Sequence, residues 1–541
     1  MSTQNIGRAG LILASGTLLS RILGLGRAMV LAYAIGSTGL AANAFAASIK
    51  IPNTVYTLII TGALTAVLVP QITKAALAKD GGRSYINKLV SLAIVGSAAL
   101  LPVLAILTPW LIAFLGAGWD NPQQTRLATL FAFWLLPQVL FYSLYTVVGE
   151  VLNAKSFFGP YAWSPVLNNI ISIAGLLAFV WIYGADPAGS LLLERWDLLA
   201  ILLVAGSATL GVAVQGLALF AFWKRVGLKF RFDLKFRGIG LGTMGKVAFW
   251  TFLTVLVAQL VGLINSAVLS LARPDEAGLA AFELVNVIFV MPHAIITISL
   301  VTANFTRMSE SVHSGDLAKM KRYLAEAARL ALISMLFFTA AMILLAFPLI
   351  RIIQWAAPFD VITLMAKLLI VTLICLAPYS LVFVLNRGFF ALSDTRTPFF
   401  IALVQSALIF ASSLWSSTLP THQIAYAISL LISLIITAQA IATFIVLRTR
   451  IGSLEGRRLL TTFLQSIIAI IFATAGGAAA LYMMGWISET SFPVASFLGA
   501  FISSGVVTLV MGVIYIAVLL MLKNTEAILV VQRLKRLVVR G

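Results

Sequence analysis

Charged residues are scarce in this chain, and their scarcity excludes most soluble functions. Only 10% of the 541 residues are charged, whereas 61% are hydrophobic and the mean hydropathy is +1.04. Soluble globular domains carry roughly 25% charged residues. The composition therefore predicts a polytopic membrane protein, and the net charge of +19 is attributed to loop charges and not to nucleic-acid binding.

Cysteines and enzyme motifs are also nearly absent. Cys375 is the single cysteine, which excludes a disulfide framework and a cysteine-based metal cluster. The sequence has no phosphate-binding glycine loop followed by Lys-Ser/Thr and no His-Glu-x-x-His motif. No hydrophilic stretch is long enough for an ATP-binding domain. We therefore expect a protein that is not an enzyme, with no metal or cofactor, whose transport is secondary or facilitated.

Long apolar segments dominate what is present. About fourteen are long enough to cross a bilayer, and they predict an all-α polytopic membrane protein. The segments cover residues 9–34, 40–70, 86–116, 125–152, 159–183, 197–223, 243–271, 277–304, 320–350, 361–390, 397–417, 422–447, 458–484 and 494–522.

Basic residues are concentrated in alternate loops. The loop between spans six and seven alone contains Lys224, Arg225, Lys229, Arg231, Lys235 and Arg237. Loops on the cytoplasmic side of a membrane protein carry an excess of Lys and Arg. The distribution predicts that both termini are cytoplasmic, which requires an even number of spans.

The two halves of the chain resemble each other weakly. Gly39-Leu-Ala-Ala and Gly278-Leu-Ala-Ala begin the second and eighth spans, and Pro52 and Pro292 occupy matching positions within those spans. Repeated bundles of this kind place a substrate site at the repeat interface. We therefore expect two pseudo-repeated six-helix lobes around a central cavity, with gating at the two prolines. The expected division is an N-terminal lobe (1–223), a basic cytoplasmic linker (224–242), a C-terminal lobe (243–450) and two further spans with a basic tail (451–541).

Three cations lie deep within the first two spans. Arg21 and Arg27 are separated by the flexible pair Gly24 and Gly26, and Lys50 lies near the middle of the second span. An arginine near the bilayer centre costs ~2.5–3.5 kcal/mol, and neither span contains a carboxylate. The pattern predicts an anionic ligand, with the glycines acting as a hinge. Internal pairing or extension of the side chains to the membrane surface is the alternative.

The second half of the chain contains few intramembrane ionisable groups. Glu283, near the start of the eighth span, is a candidate site for a coupling proton or cation, or else a partner for an arginine. We expect His293, next to Pro292, to be a packing residue, and a proton relay is the alternative. Glu326 and Arg329 have the spacing of a local helical ion pair.

Several motifs, taken in order, resemble those of the MurJ (MviN) lipid II flippases. They are Ala-Ser-Gly-Thr-Leu-Leu-Ser-Arg-Ile-Leu-Gly-Leu-Gly-Arg (14–27), Lys-Ile-Pro-Asn (50–53), the run 152–169, Met-Pro-His-Ala-Ile-Ile (291–296) and the run 388–398. The resemblance implies the fold of the multidrug/oligosaccharidyl-lipid/polysaccharide exporter superfamily, with a cationic cavity and a lipid-tail groove formed by the last two helices. The residues that match the cavity motif, and would bind substrate, are Ser20, Arg21, Arg27, Lys50 and Asn53.

The chain also departs from this family pattern. Ala28 and Asn43 stand where the family usually has acids, Tyr56 and Thr57 where it has basic residues, and Val287 where it often has an arginine. The resemblance therefore implies a cavity with fewer cations than in other members.

The resemblance implies a specific activity. The protein would flip lipid II, the undecaprenyl-pyrophosphate-linked disaccharide-pentapeptide, from the cytoplasmic to the outer leaflet of the bacterial plasma membrane by alternating access, for peptidoglycan synthesis. A coupling ion or the membrane potential would drive it, and membrane lipids and cell-wall synthesis or division proteins would be its partners. The alternatives are a cation-coupled exporter of drugs or another lipid-linked glycan, which Glu283 would favour, and a non-transporting cell-wall scaffold, which does not explain the deep cations.

Overall fold

The computed structural model describes residues 3–59, 72, 75, 80–235 and 245–540. Within these ranges the secondary structure is helical, and no strand occurs among them. The chain divides into two compact units, Met1–Ala280 and Ala281–Gly541. The prediction of an all-α polytopic protein is confirmed.

The first unit contains nine described α-helices. They are α1 (Thr3–Ile35), α2 (Leu40–Ile59), α3 (Arg83–Leu115), α4 (Pro122–Leu135), α5 (Gln138–Ala154), α6 (Gly159–Tyr183), α7 (Leu198–Ile201), α8 (Ser207–Leu217) and α9 (Gly245–Leu269). A π-helical turn, Leu202–Gly206, joins α7 to α8. The start of α4 shows how the sequence sets these boundaries: Asn121 Oδ1 accepts a hydrogen bond from the Gln123 amide at 2.9 Å, and Pro122 occupies the first turn.

The second unit continues the helical pattern. Its described helices are α10 (Leu279–Pro292), which starts at the end of the first unit, α11 (Ile298–His313), α12 (Leu317–Leu344), α13 (Ala346–Ile353), α14 (Phe359–Leu373), α15 (Leu376–Ala391), α16 (Arg396–Ser416), α17 (Ile424–Ile451), α18 (Gly456–Met483), α19 (Phe492–Ala495), α20 (Phe497–Met521) and α21 (Thr525–Arg540). A π-helical turn, His293–Thr297, follows Pro292 directly.

The described helices account for most of the predicted spans. Twelve helical segments are long and apolar enough to cross a membrane, and α14 with α15, bent by 41°, forms one more. The predicted second span, 40–70, is described only as far as Ile59, since residues 60–71 lie outside the described ranges. The count of fourteen therefore stays a prediction.

The boundary between the two compact units differs from the predicted boundary between the lobes, because α9 belongs to the first unit. This helix packs on α2 and α3 and belongs to the first unit, whereas the predicted C-terminal lobe begins at residue 243. The lobe boundaries stay a prediction, and residues 236–242 of the predicted linker lie outside the described part of the chain.

Large apolar side chains on the helices are exposed. Trp181 is 86% exposed and Leu509 is 68% exposed, which in water would be a large unfavourable apolar surface. Contact with lipid removes that cost. The exposed apolar surface is therefore consistent with a multi-pass membrane protein.

Candidate substrate-binding site

Helix α1 carries both predicted arginines. At a rise of ~1.5 Å per residue, Arg21 lies roughly 21 Å and Arg27 roughly 12 Å from the Ile35 end of this helix. Both side chains are partly buried. Their six-residue separation places the two side chains ~120° apart around a straight helix. A ligand that contacts both arginines would therefore have to reach two adjacent faces of α1.

Helix α6 holds the middle of α1. Asn169 Nδ2 donates to the Ser20 carbonyl at 3.0 Å, next to Gly24, where an added Cβ would lie 3.8 Å from the same amide nitrogen. One turn earlier than Ser20, a Cβ at Gly16 would lie 2.7 Å from Trp163. The backbone of Ser20 is thus part of the α1–α6 contact, and its predicted role in substrate binding stays a prediction.

Helix α2 carries the third cation. Lys50 is partly buried, Pro52 is buried and Asn53 is exposed. Pro52 has no amide hydrogen to donate to the Ser48 carbonyl, so the helical ladder is interrupted there. The Ser48 hydroxyl lies 2.7 Å from the Ala128 carbonyl of α4, which fixes the segment before the proline.

A stacked tyrosine pair links α2 to α5, and neither tyrosine was among the predicted substrate-binding residues. Arg27 interacts electrostatically with the Tyr142 hydroxyl on α5. Tyr142 stacks on Tyr56 of α2, with 4.1 Å between ring centroids and 27° between ring planes. Tyr56 follows Lys50 and Asn53 on the same helix. Tyr56 stands where the family has a basic residue, which was a sequence signal for this position. Tyr142 belongs to no quoted motif, so only its stacking on Tyr56 identifies it.

The second unit contains the remaining predicted residues. Glu283 on α10 is partly buried and Pro292 is buried. After Pro292, His293 is buried, and its Nδ1 lies 2.8 Å from Ser380 Oγ. The His293 ring packs edge-on against Tyr379 and Phe383. This environment fits the expected packing role of His293, and the π-helical turn places a backbone irregularity at the predicted Pro292 gate.

Arg329 does not form the local pair expected from its spacing to Glu326. Its guanidinium bonds to Glu455 Oε2 at 2.6 Å and also to Glu526 Oε1. This cluster, in which Arg329 and Glu526 are buried and Glu455 is partly exposed, is named the Arg329 triad below. It joins α12, the residue before α18 and the first turn of α21. The prediction failed because long-range packing placed two better-positioned carboxylates against the arginine.

Metal chemistry finds no support in the described residues. No group of three or more His, Cys, Asp or Glu side chains among them is arranged to hold a metal ion. Cys375 is a buried free thiol. What the described site offers is positive charge, amide and hydroxyl groups on membrane-spanning helices, which suits binding of an anionic, polar headgroup.

Comparisons with known proteins agree with this chemistry. A family model described as "Lipid II flippase MurJ" matches residues 31–501, a segment that includes Lys50, Asn53 and Glu283 and starts after Arg27. The probable lipid II flippase MurJ of Rhizobium tropici is 26% identical over 392 residues, covering 71% of this chain and 70% of the relative. The lipid II flippase MurJ of Burkholderia cenocepacia is 27% identical over 406 residues, covering 74% and 76% respectively.

Solved structures resemble the fold. A lipid II flippase MurJ in an inward closed conformation has a TM-score of 0.72 at 18% identity, covering 94% of this chain and 100% of that one. An inward-facing multidrug resistance MATE family transporter of the MOP superfamily has a TM-score of 0.63 at 15% identity, covering 82% and 99%. At these identities the likeness establishes a fold shared with MurJ and MATE transporters.

Proposed function

Because this chain belongs to the lipid II flippase MurJ family, we propose that it moves lipid II from the cytoplasmic to the outer leaflet of the bacterial plasma membrane by alternating access. The observation that carries the proposal is the presence of three partly buried cations, Arg21, Arg27 and Lys50, on two consecutive apolar helices of one compact unit. No enzymatic step is involved: the substrate crosses the membrane unchanged.

The cations would hold the pyrophosphate. Arginine matches phosphate through a planar fork of donors, and charge-assisted hydrogen bonds of this kind are roughly twice as strong as neutral ones. A water-filled site lowers the cost of keeping both the cations and the anion within the membrane. Ser20 and Asn53 would add neutral hydrogen bonds, while the undecaprenyl tail stays in lipid.

Conformational change would use the backbone irregularities. Gly24 and Gly26 allow α1 to bend between its two arginines. Within the described part of the chain, a Cβ at Gly26 would meet no neighbouring atom within 4 Å. Pro52 and Pro292 interrupt the helical ladders of α2 and α10. The driving force would be a coupling ion or the membrane potential, which is worth ~2.3 kcal/mol per charge per 100 mV.

Native mass spectrometry of the purified protein tests the proposed substrate. We expect a retained species whose mass exceeds that of the apo chain by that of lipid II, and its loss in Arg21→Ala. Retention of a different lipid-linked glycan under the same conditions would indicate an exporter of that glycan. Retention of no anionic lipid would contradict the proposal that the three cations bind a pyrophosphate.

The proposed orientation places both termini in the cytoplasm. After Cys375 is replaced by alanine, a cysteine at Gly227 should resist an impermeant thiol reagent in intact cells, whereas a cysteine at Gly184 should react. The reason is the basic loop that contains Gly227, which the positive-inside rule places in the cytoplasm. Labelling in the reverse pattern would overturn the orientation and the direction of transport.

Glu283 is the proposed coupling residue. If it binds a proton or cation, Glu283→Gln should leave lipid II binding intact and reduce flipping. If it instead neutralises an arginine, the variant should lose stability, since breaking a buried pair costs ~3–5 kcal/mol. Flipping in cells and a melting curve of the purified variant separate the two outcomes. Glu310→Gln, at an exposed glutamate of α11, is the control, and a Glu283 variant identical to it in both assays would leave the potential as the driving force.

A further inference from the structure

The tyrosine pair beside Arg27 is chemically suited to a part of the substrate that cations do not recognise. We propose that Tyr56 and Tyr142 contact the sugar portion of the lipid-linked headgroup and so distinguish a glycosylated pyrophosphate from the bare lipid pyrophosphate. This inference rests on the proposed lipid II function and specifies which residues of the same site recognise the sugar.

The geometry of the pair leaves aromatic surface available. The rings stack with centroids 4.1 Å apart, which occupies one face of each ring, and both residues remain partly exposed. The Thr146 hydroxyl, which donates to the Tyr142 carbonyl at 2.9 Å, lies near the Tyr56 hydroxyl, and the Arg27 charge acts on the Tyr142 hydroxyl. The pair therefore combines an apolar ring surface with polar groups at its edge.

A second stacked tyrosine pair joins α5 to α6, three residues after Tyr142 along α5. Tyr145 stacks on Tyr161 with 5.0 Å between centroids and 9° between ring planes. Tyr161 also covers Gly149, where a Cβ would lie 2.2 Å from the ring. Tyr145 is buried, so this second pair is part of the α5–α6 packing and fixes the segment of α5 that carries Tyr142. Rigid aromatic side chains lose little conformational entropy on binding, which favours their use as contact surfaces.

Position along α2 connects the pair to the cations. Lys50, Asn53 and Tyr56 follow one another at three-residue intervals, so their side chains occupy neighbouring positions on the helix surface. In a glycosylated lipid pyrophosphate the first sugar is bonded directly to the phosphate. A pyrophosphate held by Arg27 and Lys50 therefore brings that sugar next to Tyr56. A pyranose ring has an apolar C–H face and a hydroxyl edge, which match the ring surface and the polar edge of the pair.

The test compares two ligands on the purified full-length chain in lipid nanodiscs. The probes are lipid II and undecaprenyl pyrophosphate, which has the same tail and pyrophosphate but no sugar. We expect Tyr56→Leu to weaken lipid II binding about tenfold, the scale of one lost aromatic contact, and to leave undecaprenyl pyrophosphate binding unchanged. Tyr142→Leu should act in the same way, whereas Tyr56→Phe, which keeps the ring, should retain most of the preference. Arg27→Ala should weaken both ligands.

The controls separate recognition from helix packing. Tyr426→Leu, at a tyrosine of the second unit that bonds the Leu364 carbonyl, should change neither affinity. The proposal is overturned if the two leucine variants weaken both ligands equally, or neither, because a packing role would not discriminate between them. Failure of the wild-type chain to bind either ligand would instead contradict the proposed function.

Discussion

Replacing Arg21 with alanine is expected to abolish lipid II flipping while membrane abundance stays at the wild-type level. The guanidinium would supply charge-assisted hydrogen bonds to the pyrophosphate, each worth ~1.5–3 kcal/mol, so loss of two such bonds lowers affinity by more than about a hundredfold. Complementation of a flippase-depleted cell measures the activity, and quantitative immunoblotting of membranes measures the abundance.

Lysine at position 21 tests the geometry of the contact. Arg21→Lys keeps the charge but loses the planar fork, so we expect weak or absent complementation. Arg126→Ala, at an exposed arginine of the first unit, should complement fully. Full activity of Arg21→Ala would show that Arg21 does not bind the substrate. A lower abundance of the variant in the membrane would show that Arg21 contributes to folding.

Replacing Arg329 with alanine is expected to produce the largest loss of stability. The substitution leaves the buried Glu526 carboxylate without its cation, whereas the partly exposed Glu455 keeps only its longer contact with Arg458. Removing one partner from a buried ion cluster costs ~3–5 kcal/mol. Thermal unfolding of the purified protein should therefore show a clear fall in melting temperature, while the affinity of the folded fraction for lipid II should be unchanged.

Arg458 provides a matched control because it bonds to the same carboxylate. Its guanidinium lies 3.5 Å from Glu455 Oε2 with 75% of the side chain exposed, and exposed pairs contribute ~0–1 kcal/mol. Arg458→Ala should change the melting temperature little. Equal effects of the two alanine variants would mean that the Arg329 triad contributes no more than a surface pair.

Hydropathy alone predicted the positions of most of the long apolar helices. An apolar run of about twenty residues has no other stable arrangement in lipid than a helix. Local irregularities were also readable from residue type: the π-helical turn at His293–Thr297 follows the predicted gate residue Pro292. Helix position and helix irregularities depend on residues within one segment, so the sequence of that segment is enough to predict them.

Partner choice between distant segments could not be predicted in this way. The i,i+3 rule paired Arg329 with Glu326, whereas the folded chain brings Glu526 to it across 197 positions. Tyr56 and Tyr142 are likewise brought together by the packing of α2 on α5. Neither contact produces a periodic pattern in the sequence, because each joins segments that meet only in the folded protein.

Helix α2 is anchored unevenly along its length. Before Pro52, the Gly39 amide bonds the Pro274 carbonyl at 2.7 Å, Asn43 Oδ1 accepts from the Ala280 amide at 3.0 Å, and Ser48 contacts Ala128. After Pro52, the helix meets α5 through the face of Tyr56. Aromatic faces slide more readily than directional hydrogen bonds break. The part of α2 before Pro52 is thus held by hydrogen bonds, and its described part after Pro52 contacts α5 by ring stacking. A tilt of the second part about Pro52 would therefore move Asn53 and Tyr56 without breaking the hydrogen bonds of the first part.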